Sequence, residues 1–234
     1  MQEAEFDKFA DEYHAMHLAS IGASGEGPEF FAAYKMVDLA WEFARRAERS
    51  DTAPSILDFG AGSGNSIPHV AANFHDAKLT CIDVSARSLE LAAKRFPGQA
   101  SFERFDGSEL PLENETFDIA FAACVFHHIP HEEHVKLLSE WRRVLRPGGM
   151  ALVYEHNPYN PLTRRVVNSC EFDANAHLVT ARAMRRTFVD AGFSGVQICY
   201  RVFFPHFMRG LRRLERGLAA IPLGAQYYVV ATRS

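Results

Sequence analysis

The chain has few cysteines, no long apolar run and no excess of positive charge, and each shortage excludes a class of function. Its four cysteines, Cys81, Cys124, Cys170 and Cys199, are scattered through 234 residues with no close pair among them. A dense disulfide scaffold and a cysteine-based zinc knuckle are therefore excluded. No window approaches the roughly 18 consecutive apolar residues of a membrane-spanning helix. Acids outnumber Lys and Arg by 29 to 25, giving a net charge of -4 and a pI near 6.3. That balance argues against an extended nucleic-acid surface, while local basic patches remain able to take a phosphate. Met1-Gln2-Glu3-Ala4-Glu5 has neither the basic nor the apolar part of an export signal, so the expected setting is the reduced cytoplasm. Internal repeats and low-complexity stretches are also lacking.

What is present suits one well-filled domain. At 47% hydrophobic residues over this length, the chain buries a substantial core as a single unit spanning 1–234. Residues 1–53 form an N-terminal approach, a strand-and-helix core runs to about 156, and 157–220 elaborate the far side. Within the core, 56–59, 79–83, 119–123 and 150–154 are continuously apolar runs. Strands buried on both faces read this way, which predicts a mostly parallel sheet covered by helices. Residues 85–95 and 132–145 carry helical periods, the second with Val135, Leu138, Trp141, Val144 and Leu145 along one side. Pro147-Gly148-Gly149 is expected to stop that helix before the next strand. Two later apolar runs, 196–202 and 227–231, are expected to complete the same sheet.

The first strand enters Gly60-Ala61-Gly62-Ser63-Gly64, and Asp83 ends the second. A glycine turn after a strand lets backbone approach a ligand closely, and an acid at the next strand end can accept hydrogen bonds from both ribose hydroxyls. A dinucleotide fingerprint needs its third glycine at position 65, which here is Asn65. The missing glycine disfavours a nicotinamide cofactor, which stays as a weaker alternative.

The ordered set ILDFGAGSGN (56–65), CIDVS (81–85), FERFDGSELPLENETFDIAFAACVFHHI (102–129) and LLSEWRRVLRPGGMALVYEHNP (137–158) resembles the class I, seven-stranded S-adenosylmethionine-dependent methyltransferases, in their type-11 and type-12 small-molecule branch. The resemblance covers residues 54–158. It implies a doubly wound, Rossmann-like sheet of seven strands with helices on both faces, finished by a C-terminal antiparallel hairpin. It also implies S-adenosylmethionine as cofactor and S-adenosylhomocysteine as product. Position by position, Gly60, Ala61, Gly62 and Gly64 would lie beside the methionine part, Asp83 and Val84 at the ribose, and Asp106 and Gly107 at the adenine. Ala123, Cys124 and His128 would line the sulfonium end, and Asp58 would support the glycine loop. Residues 1–53 would include a lid around 9–14, which offers Tyr13 and, further on, Lys35 as cofactor contacts.

A methyl carbon on a sulfonium is already activated, so aligning the acceptor and excluding water can supply much of the acceleration. A base is needed only where the acceptor must lose a proton. His127 and His128 follow the strand at 119–123 and are the candidates, His128 preferred; a packing or helix-capping role competes. Glu155, with His156 beside it, is the third candidate, as a proton acceptor or an orienting group. His131 and His134 add to the cluster, but no cysteine or carboxylate set completes a metal site, so no metal is expected. Asn157-Pro158-Tyr159 echoes the Asn-Pro-Pro-Tyr loop of amine methylases but follows the wrong strand; it reads instead as a rigid lid on the acceptor pocket. Arg209, Arg212, Arg213 and Arg216 alternate with Phe203, Phe204, Phe207, Leu211 and Leu214. A solvated helix face is the plainer reading, and an amphipathic cover for a lipid-linked or phosphorylated acceptor is the other.

The expected function is methyl transfer to a small molecule, aromatic and lipid-linked acceptors included, with oxygen preferred over nitrogen or carbon. The alternatives are a catalytically silent cofactor-binding partner or regulatory subunit and an NAD-dependent oxidoreductase. Oligomeric state is not legible.

Overall fold

A computed structural model describes residues 25–46, 52–107, 109–170, 173 and 175–234. Tyr13 and the segment around 9–14 lie outside the described residues. The described residues begin with helix α1 (Pro28–Arg46) and strand β1 (Ser55–Phe59), then α2 (Ile67–Asn73), β2 (Lys78–Asp83), α3 (Ala86–Arg95), β3 (Ser101–Arg104) and β4 (Phe117–Ala123). After two short 3-10 turns come α4 (His134–Val144), β5 (Leu145–His156), α5 (Pro161–Asn168), α6 (Ala181–Asp190) and β6 (Ser194–Arg201). A 3-10 helix, His206–Leu214, then runs into the helical turn Glu215–Leu218 before β7 (Gln226–Thr232) closes the chain. Among the described residues no helix is long and apolar enough to cross a membrane.

The seven strands form one sheet in the order β3-β2-β1-β4-β5-β7-β6. Neighbours from β3 to β5 pair in parallel, and β7 lies antiparallel between β5 and β6. Alternation along each strand sorts the core into two layers. Ile56, Cys81, Ile119, Phe121, Leu152 and Tyr154 face Met36 and Leu39 of α1. Leu57, Phe59, Ile82, Ala120, Ala122 and Val153 face Leu138, Trp141 and Met184 of α4 and α6. Trp141 stands edge-on to Phe59 at 5.5 Å and to Phe126 at 5.8 Å between ring centroids, so the indole joins α4 to the ends of β1 and β4.

Helix starts follow their capping residues. Ser85 Oγ accepts the Ser88 amide at the start of α3, Asn160 takes the Leu162 and Thr163 amides ahead of Pro161 in α5, and Thr180 takes the Ala183 amide in α6. Such side-chain acceptors satisfy amides that the first helical turn leaves without partners.

Three expectations are corrected. The helix expected over 132–145 is a 3-10 turn, His131–Glu133, followed by α4, and Val135 is 37% exposed rather than on the buried side. Pro147-Gly148-Gly149 does not separate helix from strand: β5 begins at Leu145, and the register shift against β4 between Phe117 and Ile119 accommodates the extra residues. Gly148 N donates to Arg233 O and Arg233 N to Gly149 O, both at 2.8 Å, which extends the ladder across this stretch. The edge strand β3 was not among the apolar runs because Ser101, Glu103 and Arg104 are exposed there.

Candidate active site

Strand order reverses between β1 and β4, which leaves a crevice beyond their carboxyl ends. On the β1 side, Gly60 N and Ala61 N both donate to Ile82 O, at 2.8 and 3.1 Å, so the chain turns sharply over the end of β2. Gly60 has a φ of +72°, and a Cβ there would stand 2.6 Å from a Val125 methyl. Gly62, at φ +53°, meets nothing within 4 Å. The first glycine is thus required by packing, whereas the second leaves its side of the backbone open to a ligand.

Asp83 ties this loop to the following helix: Oδ2 accepts Gly62 N at 2.8 Å and Oδ1 accepts Ser85 N at 2.9 Å. A carboxylate oxygen has two lone pairs, so holding the loop is compatible with accepting ribose hydroxyls. Asp58 is buried and receives the Ser66 hydroxyl; burial raises its carboxyl to about 7. It braces the turn from beneath. Phe105 N donates to Asp83 O at 3.0 Å, which brings Asp106 and Gly107 beside the β2 end, with Gly107 (φ +94°) again facing open space. Val84 has its side chain in the core, so only its backbone is presented. This half, Gly60 to Asp106, forms a cradle fit for a nucleoside-bearing cofactor: open glycine backbone, an anchored carboxylate at the second strand end and an exposed acid at the third.

Across the crevice the ends of β4 and β5 carry a dense polar group. Ala123 pairs with Tyr154, and Cys124 follows with a left-handed φ of +62°, its amide on Tyr154 O at 2.9 Å. Lys35 Nζ, brought by α1, donates to Cys124 Sγ at 3.2 Å. Burial alone would raise the thiol, but Lys35 and then His156 outweigh it and bring Cys124 down to about 7. Gln226 Nε2 reaches Cys124 Sγ at 3.8 Å and His156 Nδ1 at 3.4 Å, while its oxygen receives the Tyr34 hydroxyl.

Glu155 is fully buried. Its Oε1 accepts the Phe126 amide at 2.8 Å and its Oε2 lies 2.6 Å from His127 Nδ1. His127 Nε2 and His128 Nε2 each stand 3.5 Å from Asp173 Oδ1. Burial disfavours an imidazolium, yet the flanking Glu155 and Asp173 outweigh it and raise His127 to about 10. Burial likewise opposes ionisation of Glu155, and His127 overrides it, holding the carboxylate at about 2. His128 goes the other way: burial and then the cationic neighbour push it to about 3. The site therefore pairs a buried cationic imidazole with a neutral one whose side chain is 9% exposed.

His127, His128 and Asp173 also bring three ligand-type atoms within 4.8 Å of one another. The sequence expectation against a metal rested on His131 and His134; instead His134 Nε2 bonds to the Phe126 and Ile129 carbonyls, at 2.9 and 3.0 Å. Asp173 supplies the carboxylate that local spacing did not offer. A protonated His127 offsets one of the two carboxylates, Glu155 and Asp173, that flank it.

The structure thus brings together Lys35, Cys124, His127, His128 and Glu155 at one end and the glycine loop, Asp83, Asp106 and Gly107 at the other. Sequence reasoning missed Asp173, Gln226 and Tyr34. Gln226 had one signal, a lone amide opening the apolar run 227–231. Asp173 had none, since it comes from an aperiodic loop.

Residues 56–149 match the protein family described as a methyltransferase domain. The chain is 29% identical over 150 residues to the sterol 4-C-methyltransferase strm-1 of Caenorhabditis elegans, covering 62% of this chain and 43% of that one. It is 35% identical over 143 residues to a trans-aconitate 2-methyltransferase of Methylobacterium nodulans, covering 59% and 52%. The chain thus spans roughly half the length of these curated relatives. A crystal structure of a SAM-dependent methyltransferase from Thermotoga maritima superposes with a TM-score of 0.69 over 99% of each chain, at 18% identity. With its strand order, its glycine loop and acid at the switch point, and these likenesses, the chain has the class I, seven-stranded S-adenosylmethionine-dependent methyltransferase fold.

Proposed function

We propose that the protein transfers a methyl group from S-adenosylmethionine to the oxygen of a small, aromatic or lipid-linked acceptor, releasing S-adenosylhomocysteine. The observation that carries this reading is the placement of a neutral His128, its side chain 9% exposed, beside the His127–Glu155 pair at the β4 and β5 ends, while the Gly62–Asp83 cradle sits at the β1 and β2 ends of the same sheet. Gly60, Ala61, Gly62 and Gly64 would hold the methionine part, Asp83 and the Val84 backbone the ribose, Asp106 and Gly107 the adenine, and Ala123, Cys124 and Lys35 the sulfonium end. Tyr13 belongs to the same reading as a cover. The cofactor, when bound, supplies an electrophilic methyl carbon on a positively charged sulfur.

The chain's own residues then have separate tasks. An attacking hydroxyl becomes strongly acidic as its new bond to carbon forms, so even a weakly basic imidazole suffices to take its proton. His128 is unprotonated at neutral pH and has Asp173 Oδ1 at 3.5 Å to stabilise the charge it gains. His127, fixed by Glu155, keeps Asp173 and His128 in register. Residues 157–220 would shape the acceptor side, and the four free thiols suit a reducing cytoplasm.

The deciding experiment is calorimetric titration of ligand-free protein with S-adenosylmethionine, S-adenosylhomocysteine and NAD, followed by mass spectrometry of reactions with a panel of hydroxyl and amine acceptors. Binding of both sulfur cofactors and an O-methylated product are expected, with His128→Gln lowering kcat about a hundredfold at unchanged cofactor affinity. Preferential binding of NAD, or cofactor binding with no methylated product from any acceptor, would overturn the reading.

A further inference from the structure

The segment His206–Leu218 departs from the usual amphipathic arrangement. A surface helix of a water-soluble protein directs its apolar stripe to the core and its charges to solvent. Here Arg212 reaches inward, with Nη2 2.5 Å from Glu26 Oε1 and its guanidinium 4.3 Å from the Phe30 ring centroid. Arg216 stacks over Trp41 of α1 at 5.2 Å. Glu215 is buried, accepts the amides of Val202, Phe203 and Phe204 at 3.1, 3.1 and 3.4 Å, and lies 3.6 Å from Arg201. Large apolar side chains face outward among exposed arginines instead: Phe207 is 84% exposed and Leu214 53%, with Leu211 between them.

More exposed apolar side chains lie on the loop that follows this segment and on the start of α5. Asn160 Nδ2 donates to Leu223 O at 2.9 Å, Asn157 Nδ2 to Gly224 O at 2.7 Å, and Thr163 Oγ1 to Ala225 O at 2.9 Å, so the loop before β7 is laced to the start of α5. Leu223 and Leu162, 67% and 69% exposed, and Tyr159 project from this junction. A single exposed leucine carries no message, but a run of large apolar side chains on adjoining elements marks an interaction surface.

Charge selects the partner. From residue 191 to 234 the sole acid is Glu215, which is buried, and 157–170 contain no acid at all. The exposed charges on these stretches are Arg209, Arg213 and Arg216 beside the helical segment and Arg164 and Arg165 beside Leu162. Apolar side chains rimmed by arginines, without a carboxylate, complement an interface of acyl chains below anionic headgroups. We propose that this face, centred on Phe207, Leu211, Leu214 and Leu223, docks the protein on an anionic lipid surface. The loop carrying Leu223 leads within three residues to Gln226, whose amide touches Cys124 and His156. Docking would therefore set the acceptor end of the crevice next to the lipid. The inference goes beyond methyl transfer and does not depend on it.

The test is co-sedimentation of the full chain with vesicles of phosphatidylcholine alone and of phosphatidylcholine mixed with phosphatidylglycerol. Binding is expected to favour the anionic vesicles, to weaken as salt is raised, and to fall at least about tenfold in Phe207→Glu/Leu211→Glu/Leu214→Glu. Circular dichroism and cofactor titration confirm that this variant is folded. Should it fail to fold, Arg209→Glu/Arg213→Glu serves instead, and is expected to abolish the preference for anionic vesicles. Absence of binding to either composition, or equal binding by wild type and variant, would overturn the proposal. So would light scattering that finds a wild-type dimer which the triple variant dissociates, since the face would then belong to a second copy.

Discussion

Glu155 Oε2 lies 2.6 Å from His127 Nδ1, and neither side chain is more than 1% exposed. Glu155 stands near the end of β5 and His127 in the 3-10 turn that follows the neighbouring parallel strand β4, and each is held ionised by the other against the penalty of burial. Removing one charge leaves its partner buried and uncompensated, which costs about 3–5 kcal/mol in such pairs. Glu155→Gln is therefore expected to lower stability by about 3 kcal/mol or more, measured by urea unfolding near pH 6.

The same pair sets a pH signature. His127 is raised from 6.5 to about 10 on folding, so its contribution is complete below pH 6.5 and is lost as pH rises toward 10. Glu155 is lowered from 4.5 to about 2, so its contribution is present above pH 4.5 and is lost as pH falls toward 2. The stability difference between wild type and His127→Gln should be largest between these limits, near pH 4.5–6.5, and shrink on both sides. Unfolding curves of both proteins across pH 4–10 check this; a difference that does not change with pH would contradict it.

Asp83 holds Gly62 and Ser85 through charge-assisted hydrogen bonds at the edge of the cradle. Asp83→Asn turns one acceptor into a donor and is expected to weaken S-adenosylmethionine binding by about 1.5–3 kcal/mol, roughly ten- to a hundredfold. Calorimetry measures the loss. Asp83→Ala should be at least as damaging.

Two glycines in the same loop should respond differently. Gly60→Ala drives a methyl to 2.6 Å from Val125 and is expected to destabilise the protein by about 1–3 kcal/mol. Gly62→Ala meets open space, so it should cost only about 1 kcal/mol, from its positive φ, while reducing cofactor affinity. Thermal unfolding and titration of the two variants separate packing from access.

Cys124 should alkylate faster near pH 7 than Cys81 or Cys199, because Lys35 and His156 bring it to about 7 despite burial, whereas those two are raised by burial. Lys35→Met is expected to slow alkylation at pH 7 about tenfold and to move its midpoint upward. Peptide mapping after brief iodoacetamide treatment identifies the residue, and S-adenosylmethionine should protect it.

The parallel core was legible because β1, β2, β4 and β5 are buried on both faces and so are continuously apolar. β3 was not, because an edge strand with Glu103 and Arg104 exposed carries no such mark. The cradle was legible for a related reason: a glycine loop and the next strand's terminal acid sit at fixed offsets along the chain. The far side of the crevice depends on contacts that periodicity does not encode. Glu155 and His127 are recognisable as strand-end residues, but their pairing needs the β4–β5 register, and Asp173 reaches them from a loop. The segment 206–218 displays its amphipathic pattern openly. Which face turns outward is decided by Glu26 and Trp41, far away in sequence.

Among the ties that hold α1 against the sheet, Tyr154 to Lys35 O, Arg201 to Asp38, Tyr228 to Glu42 and Tyr34 to Gln226 link residues 119, 163, 186 and 192 positions apart. Contacts of such separation form late, since the intervening chain must be ordered first. On a ribosome, β1 to β4 and the glycine loop can pair while β7 is still being made. The wall that carries Lys35 gains its ties to Tyr228 and Gln226 only with β7. The nascent chain thus acquires its glycine loop well before the Lys35 side of the crevice is complete.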